Sequence, residues 1–381
     1  MITELISRSN YLSLNNWIYL NQASLGLIGM PAVQAMHRFL DEVACHGNLN
    51  MTDDDEVEFF ELLRQRGGRI LNCDLERLAI VSSASELLGQ LPFMLRPKSG
   101  SHILSISTDF PAVTRPWLRY AHENNCSLKF VDDLSQVNLT DALIEAIDEQ
   151  TAVVAISYVQ FSTGSKVDIS RLSEAAKAFD AKLVVDVTQA AGTLKIDSQN
   201  WDVDAVVTSG YKWLGGHGGV AIAALSPTLI EQIPPLPGWM GTPHPFDFEA
   251  TQLPLAIGGR RFTQSTMSYI SIAGLTTALD QLIGLGETQL ESHAFSLSQK
   301  LIENSRLHGW EPFRSHTDSS ASPHIVALKH STFDAPEAVE VLRQKRIVCG
   351  TRNGRIRISL APYNNSHDIS ILIDTLASMR F

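Results

Sequence analysis

Between residues 102 and 209 the chain alternates short β-rich runs with stretches of helical spacing, and this alternation restricts the possible folds more than any other feature. "HILSIS" (102–107), "TAVVAISYV" (151–159), "AKLVVDV" (181–187) and "DAVVTS" (204–209) are rich in Val and Ile, as expected of buried strands. Between two of them "ISRLSEAAKAFDA" (169–181) has helical spacing, with Asp168 or Ser170 placed to cap its start. Strands alternating with helices of this length predict an α/β fold with a large, mostly parallel sheet covered by helices on both faces. The segment 231–254 is rich in Pro and aromatics without a period and reads as a long loop or a domain boundary. Beyond it, residues 268–286 read as a long helix, and strands near 322–330 and 355–360 predict a smaller α+β part.

A chain of 381 residues has room for one large domain and a smaller one. Its formal net charge of −11 argues against a nucleic-acid or anionic-membrane partner, since either needs a basic face. The first twenty residues lack the basic and apolar regions of a secretory signal, and no apolar run approaches a membrane span. Cys45, Cys73, Cys126 and Cys349 are scattered without metal-ligand spacing, so no metal is expected and the location read is cytoplasmic.

Open parallel sheets bind ligands beyond the carboxyl ends of their strands, so the residues just after the expected strands are a test for a shared pocket. One strand ends in "VDVTQA", which places Asp186 and Gln189 at that rim. The next delivers Ser209, Tyr211 and Lys212, the last a lone cation between an apolar run and four glycines. Earlier, "IVSSASELLGQL" (80–91) reads as a strand, then Ser82, Ser83, Ala84 and Ser85, then a helix, an arrangement suited to an anion. Each piece also has a structural reading: serines as plain N-caps, Asp186 as a loop cap, Lys212 reaching out to solvent, the glycines as a tight turn. Together they describe a rim with an anion cradle, a buried carboxylate and a lysine.

At these motifs the sequence resembles the class V aminotransferase family of pyridoxal-phosphate (PLP) enzymes, which includes cysteine desulfurases, C–S lyases, isopenicillin N epimerase-like proteins and kynureninases. "IYLNQASLG" (18–26), "VSSASE" (81–86), "VDVTQA", "SGYKWLGGHGG", "RFTQSTMSY" (261–269) and "RIRISLAPYN" (355–364) are similar to family signatures in the family's order. The resemblance implies a PLP-dependent transferase fold of type I, with a large PLP-binding domain over 18–255 and a small α+β domain from 1–17 and 256–381. It implies that Lys212 carries the cofactor as a Schiff base and moves the α-proton, while Asp186 pairs with the pyridine nitrogen and Gln189 with the phenolic oxygen. Ala84, Ser85, Ser209 and Tyr211 would hold the phosphate, with Tyr211 where the family usually has histidine, and Phe110 would stack on the ring. Arg357 would bind the substrate carboxylate, and Asn21 and Arg352 would also contact the substrate. The family's dimeric sites imply a homodimer in which Thr266 reaches the partner's phosphate.

Two departures qualify this reading. Phe161 stands where the family often has an asparagine touching the cofactor oxygen, so that contact is lost or passes to Gln160. Persulfide-forming desulfurases carry a cysteine on an extended loop between two substrate arginines; here "TRNGRIRIS" (351–359) leaves almost no loop, and Cys349 sits inside an apolar run. The expected activity is therefore β-elimination of a sulfur-bearing amino acid without a persulfide cysteine. A class V aminotransferase or amino-acid epimerase is the alternative, and a PLP-binding protein without catalysis a third reading. A nucleotide site is disfavoured, since neither GxxxxGK[ST] nor a GxGxxG after the first strand occurs. His217, within "GGHGG", reads as part of a turn.

Overall fold

The computed structural model describes residues 2–379; Met1, Arg380 and Phe381, at the ends of the expected small domain, lie outside the described residues. Among the described residues thirteen strands form three sheets: β1 (Ile18–Tyr19), β2 (Leu78–Val81), β3 (His102–Ile106), β4 (Ser127–Val131), β5 (Thr151–Ser157), β6 (Lys182–Asp186), β7 (Ala205–Ser209), β8 (Ala221–Leu225), β9 (Trp310–Pro312), β10 (Ile325–His330), β11 (Ile347–Val348), β12 (Gly350–Arg352) and β13 (Arg355–Ser359). The large sheet has the order β2-β8-β7-β6-β5-β3-β4, and only β8 runs against the others.

Alternate residues of each inner strand feed opposite apolar layers, because successive side chains leave a strand on opposite faces. In β5, Val154 and Ile156 pack into one layer with Leu143, Leu172, Leu275 and Leu279 from helices on that side. Val153 and Ala155 pack into the other with Leu87, Leu91 and Trp117. Full burial on both faces explains why these strands read as continuous apolar runs.

The helix expected over 169–181 runs Ile169–Ala178, and Asp168, rather than Ser170, caps it by accepting from Arg171 N at 3.1 Å. Asp180 takes a positive φ of 56° and turns the chain into β6. Residues 231–254 form a loop with two short 3₁₀ turns, Trp239–Gly241 and Pro245–Asp247. The helix Tyr269–Leu285 buries Ile272, Leu275 and Leu279 against the large sheet.

The smaller sheet, β12-β13-β10-β9, is antiparallel and carries its own apolar cluster with helices Glu287–Arg306, Ala335–Gln344 and Ser366–Ser378. The N-terminal segment is woven into this part. Leu5 N donates to Pro362 O at 2.8 Å, and β1 pairs in parallel with β11, Ile18 opposite Ile347. That pairing sets the position of residues 20–26, which enter the site. No described helix is long and apolar enough to cross a membrane.

Candidate active site

β6 and β7 pair in register with Asp186 opposite Val207, and Ser157 at the end of β5 lies opposite Asp186. The carboxyl ends of three adjacent strands thus converge. The cleft they form is lined by Ser83, Ala84, Ser85, Phe110, Ser157, Phe161, Asp186, Gln189, Ser209, Tyr211 and Lys212 among others. Of the residues read from the sequence as cofactor contacts, all but Gln160 and Thr266 line it.

Lys212 is 5% exposed. Burial lowers its pKa from 10.5 to about 8; Asp186 opposes that shift, and the charges of Arg357 and Arg352 reinforce it. Its Nζ stands 5.1 Å from the centre of the Phe110 ring and 5.6 Å from that of Tyr211. The backbone beneath it is clamped by the N-terminal segment: Gln22 Nε2 donates to Lys212 O at 2.9 Å and Gly26 N to Tyr211 O at 3.1 Å. A Cβ at Gly26 would fall 2.2 Å from Lys212 O, so no other residue fits there without displacing the lysine.

Asp186 is buried, and burial raises its pKa. Its Oδ1 accepts from Thr188 N at 2.7 Å, and it forms no ion pair among the described residues. Thr188 also accepts from Ser209 N at 3.1 Å, which ties the β6 rim to the β7 rim. Gln189 is held from three sides: Nε2 donates to Ala23 O at 3.0 Å, Oε1 accepts from Trp213 Nε1 at 2.8 Å, and its backbone carbonyl accepts from His324 Nε2 at 2.5 Å. Burial lowers the His324 pKa to about 4, so this ring is neutral, with its proton on Nε2. One Nε2 hydrogen of Gln189 remains for a ligand.

At the opposite end, Ser83 caps the helix Ala84–Leu95 by accepting from Glu86 N at 3.1 Å, and Glu86 accepts in return from Ser82 N at 2.8 Å. The capping reading of these serines and the anion reading therefore coexist. The cap leaves the N–H groups of Ala84 and Ser85 at the helix start, where the helix field favours negative charge.

Gln160 is not part of the cleft. It is fully buried, and its Nε2 donates to Asp109 Oδ2 at 3.2 Å and Ser157 O at 3.3 Å. Phe161 faces the cleft in its place and packs edge-on against Phe110, ring centres 5.5 Å apart. One step along the chain turned the two side chains to opposite sides. Asp109, not singled out from sequence, organises this corner: it accepts from Ser157 N, Ser157 Oγ and Phe110 N at 2.7, 2.5 and 2.7 Å, and burial lifts its pKa to about 6. Its signal was present, an acid three residues after the end of β3 and two before a proline-started helix.

Arg357 is 1% exposed with no carboxylate within ion-pair distance among the described residues. Nη1 donates to Phe161 O at 2.8 Å, Nη2 to Asn21 Oδ1 at 3.4 Å and to Ser24 Oγ, while Nε has no partner. Burial lowers its pKa to about 10, which still leaves it charged at neutral pH. A Cβ at Gly350 would lie 3.1 Å from Asn21 Oδ1 and 3.9 Å from both Arg352 Nη1 and Arg357 Nη2, so these three side chains converge on space that glycine keeps open.

Cys349 is buried in the small-sheet cluster, and burial pushes its thiol up to about 12. None of the four cysteines lines the cleft. His217 is exposed, with Nδ1 2.9 Å from Gly218 O, within its turn. Ser265 and Thr266 are exposed and outside the cleft of their own chain. No group of three or more His, Cys, Asp or Glu side chains is placed to hold a metal among the described residues.

The family model described as aminotransferase class-V matches residues 18–372. The chain belongs to this family. Similar members include an uncharacterized aminotransferase of Bacillus subtilis, 23% identical over 97% of this chain and 96% of its own length. The cysteine desulfurase CsdA of Escherichia coli is also 23% identical, over 94% of this chain and 93% of its own. Among solved structures, the cystine C–S lyase C-DES in complex with its product cysteine persulfide superposes with a TM-score of 0.86 at 21% identity, over 97% of this chain and 99% of that one. A C-DES mutant with glycine linked to PLP gives 0.87 at 20% identity, over 98% of this chain and 100% of that one. At such identities the likeness establishes the shared fold. Class V aminotransferases are PLP-dependent enzymes, and this member is one. The cleft fits the cofactor: a buried lysine that is half neutral near pH 8, a buried carboxylate without an ion pair, and helix-terminal donors at the opposite end.

Proposed function

We propose that this enzyme is a C–S lyase that eliminates the sulfur substituent from Cβ of an α-amino acid without forming a persulfide on the protein. The observation that carries this reading is the connection between the two substrate arginines. β12 and β13 are joined by Asn353 and Gly354 alone, with φ of 50° and 66°, the two-residue turn of a tight hairpin. Arg352 pairs directly with Arg355 across it, which leaves no loop on which a sulfur acceptor could travel. The nearby Cys349 is buried and protonated.

Each residue then has a role set by its position. Arg357, Arg352 and Asn21 hold the substrate carboxylate, a charge-assisted contact that satisfies the unpartnered Nε and the buried charge together. Ala84 N–H, Ser85, Ser209 and Tyr211 would hold the cofactor phosphate. Asp186 would keep a proton at the pyridine nitrogen, and Gln189 would donate its remaining hydrogen to the ring oxygen. When bound, PLP supplies an electron sink conjugated with the substrate's Cα. Lys212 Nζ, neutral at its lowered pKa, takes the Cα proton. The electron pair left at Cα forms the Cα–Cβ double bond as the Cβ–S bond breaks, the sulfur departs with that bond's electron pair as a thiolate, and hydrolysis of the unsaturated amino acid yields pyruvate and ammonia. Phe110 and Phe161 close one side against water.

The enzyme acts as a homodimer in this reading, with Thr266 completing the partner's phosphate site. Supporting it, Ile233, Leu236, Trp239, Phe248 and Ile257 of the 233–257 segment are all exposed, more large apolar side chains than a free surface loop needs. Gln264 Nε2 donates to Leu236 O at 3.3 Å, joining this segment to the threonine segment. A stable, fully active monomer in sedimentation would contradict the dimer.

The deciding experiment incubates the purified holoenzyme with cystine, cysteine conjugates and amino acid/keto acid pairs. Pyruvate and ammonia from the sulfur compounds, undiminished in Cys349→Ser, are the expected outcome. Amino transfer alone would exclude the lyase.

A further inference from the structure

We propose that the enzyme has a second ligand site, separate from the cleft, which binds a free α-amino acid as its zwitterion. A cavity of about 360 Å³ opens between the 160–166 loop, the helix Glu287–Arg306 and β10. Phe295 and Ile302 contribute apolar wall. Four polar residues at its lining are left incomplete. Ser322 is 4% exposed and its Oγ has no partner among the described residues; the buried Nδ1 of His316 likewise has none. Lys166 and Glu291 line the same cavity, and their charged groups form no hydrogen bond or ion pair among the described residues, not even with each other. The remaining charges of the lining behave differently: Arg314 and Asp318 pair at 3.3 Å.

An unpaired cation and an unpaired anion around one partly apolar cavity match a ligand that carries both charges. The ligand carboxylate meets Lys166 and the Ser322 hydroxyl, the ammonium meets Glu291, and an aliphatic side chain lies on Phe295 and Ile302. A purely anionic ligand would be opposed by Glu291, and a cationic one by Lys166. The site is built onto the supports of the substrate arginine. Gly164 N donates to Gln160 O at 2.9 Å, next to the Phe161 carbonyl that receives Arg357. Ala327, also at the cavity wall, is the register partner of Arg357 across β10 and β13.

The test uses the holoenzyme and α-methyl-L-leucine, which has no α-hydrogen to lose. Calorimetry counts binding events, and the cofactor absorbance reports the cleft alone. The expected result is a binding event that leaves the absorbance unchanged. It should weaken about tenfold or more in both Lys166→Met and Glu291→Gln, the loss of one charge-assisted contact. It should vanish in Ile302→Trp, and with α-methyl-L-leucinamide as the probe. A single event that tracks the absorbance, or a silent event unchanged in both charge variants, overturns the proposal. Lys166 and Glu291 are partly exposed, so these variants decide the matter even if Ile302→Trp does not fold. The lyase reading is checked on the same preparation by pyruvate release from cystine: if none appears while the silent event persists and weakens in both charge variants, the lyase reading fails and this one stands.

Discussion

Arg314 and Arg357 are both buried, yet their surroundings differ in kind. Arg314 donates from Nε to Ser165 Oγ and from Nη1 to Val137 O, each at 2.7 Å, and both its Nη atoms reach carboxylates, Asp318 and the fully buried Asp133. Every nitrogen is satisfied and its charge is balanced inside the protein. Arg357 meets only neutral oxygens and keeps an unpartnered Nε. A buried cation balanced from within supports the fold; one left unbalanced needs an anion from outside. The same contrast separates Lys212 from Lys129 and Lys177 at the surface, which pair with Asp148 and Asp202.

The sharpest way to break the contrast is at Lys212. Lys212→Ala should lower kcat by about 10⁴-fold or more in a steady-state assay while leaving thermal stability nearly intact, as for removal of a catalytic nucleophile or base. Its charge state can be tested apart from turnover. Burial disfavours the ammonium, so in the cofactor-free protein the amine is half neutral near pH 8 rather than near 10.5. Acetylation of that residue, followed by peptide mass spectrometry, should reach half its plateau rate near pH 8; a midpoint above 10 would refute the assignment.

Arg314→Met leaves Asp133 buried without its cation and should destabilise the protein by about 3–5 kcal/mol in urea unfolding. Arg357→Met should do the reverse. The unfolding midpoint stays or rises, while kcat/KM for the amino acid falls by roughly 30- to 100-fold, about 2–3 kcal/mol of lost charge-assisted binding. If both variants lose mainly stability, the distinction collapses. The smallest effect is expected from Ser24→Ala, which removes one neutral acceptor from Arg357 and should raise KM about fivefold, near 1 kcal/mol.

Much of the large sheet was legible because full burial writes itself as Val- and Ile-rich runs, and Asp168 was recognisable as a cap. β4 escaped: "SLKFV" is an edge strand, mostly accessible, so no apolar run marks it. β8 lies in an apolar segment whose direction composition does not encode. Helix Asp53–Leu71 also escaped, although Thr52 and Asp55 form a capping box that sequence alone displays. At the site, Lys212, Asp186, Ser209 and the helix-start residues follow from strand ends and are brought together. Gln160 misled because the side to which each residue of an irregular loop turns depends on its tertiary partners, here Asp109. Ser24, Trp213 and His324 act through contacts between distant segments, which no local pattern announces.

The clamp of Gln22 and Gly26 on the lysine backbone, and the reach of Ser24 and Asn21 to Arg357, join segments more than 300 residues apart in the sequence at one spot. During synthesis, then, the large sheet can assemble and the lysine can emerge well before its surroundings exist. The ribosome must deliver β13 before the early segment finds its final seat. A nascent chain stalled short of that strand therefore lacks Arg357, the group that Asn21 and Ser24 are placed to hold.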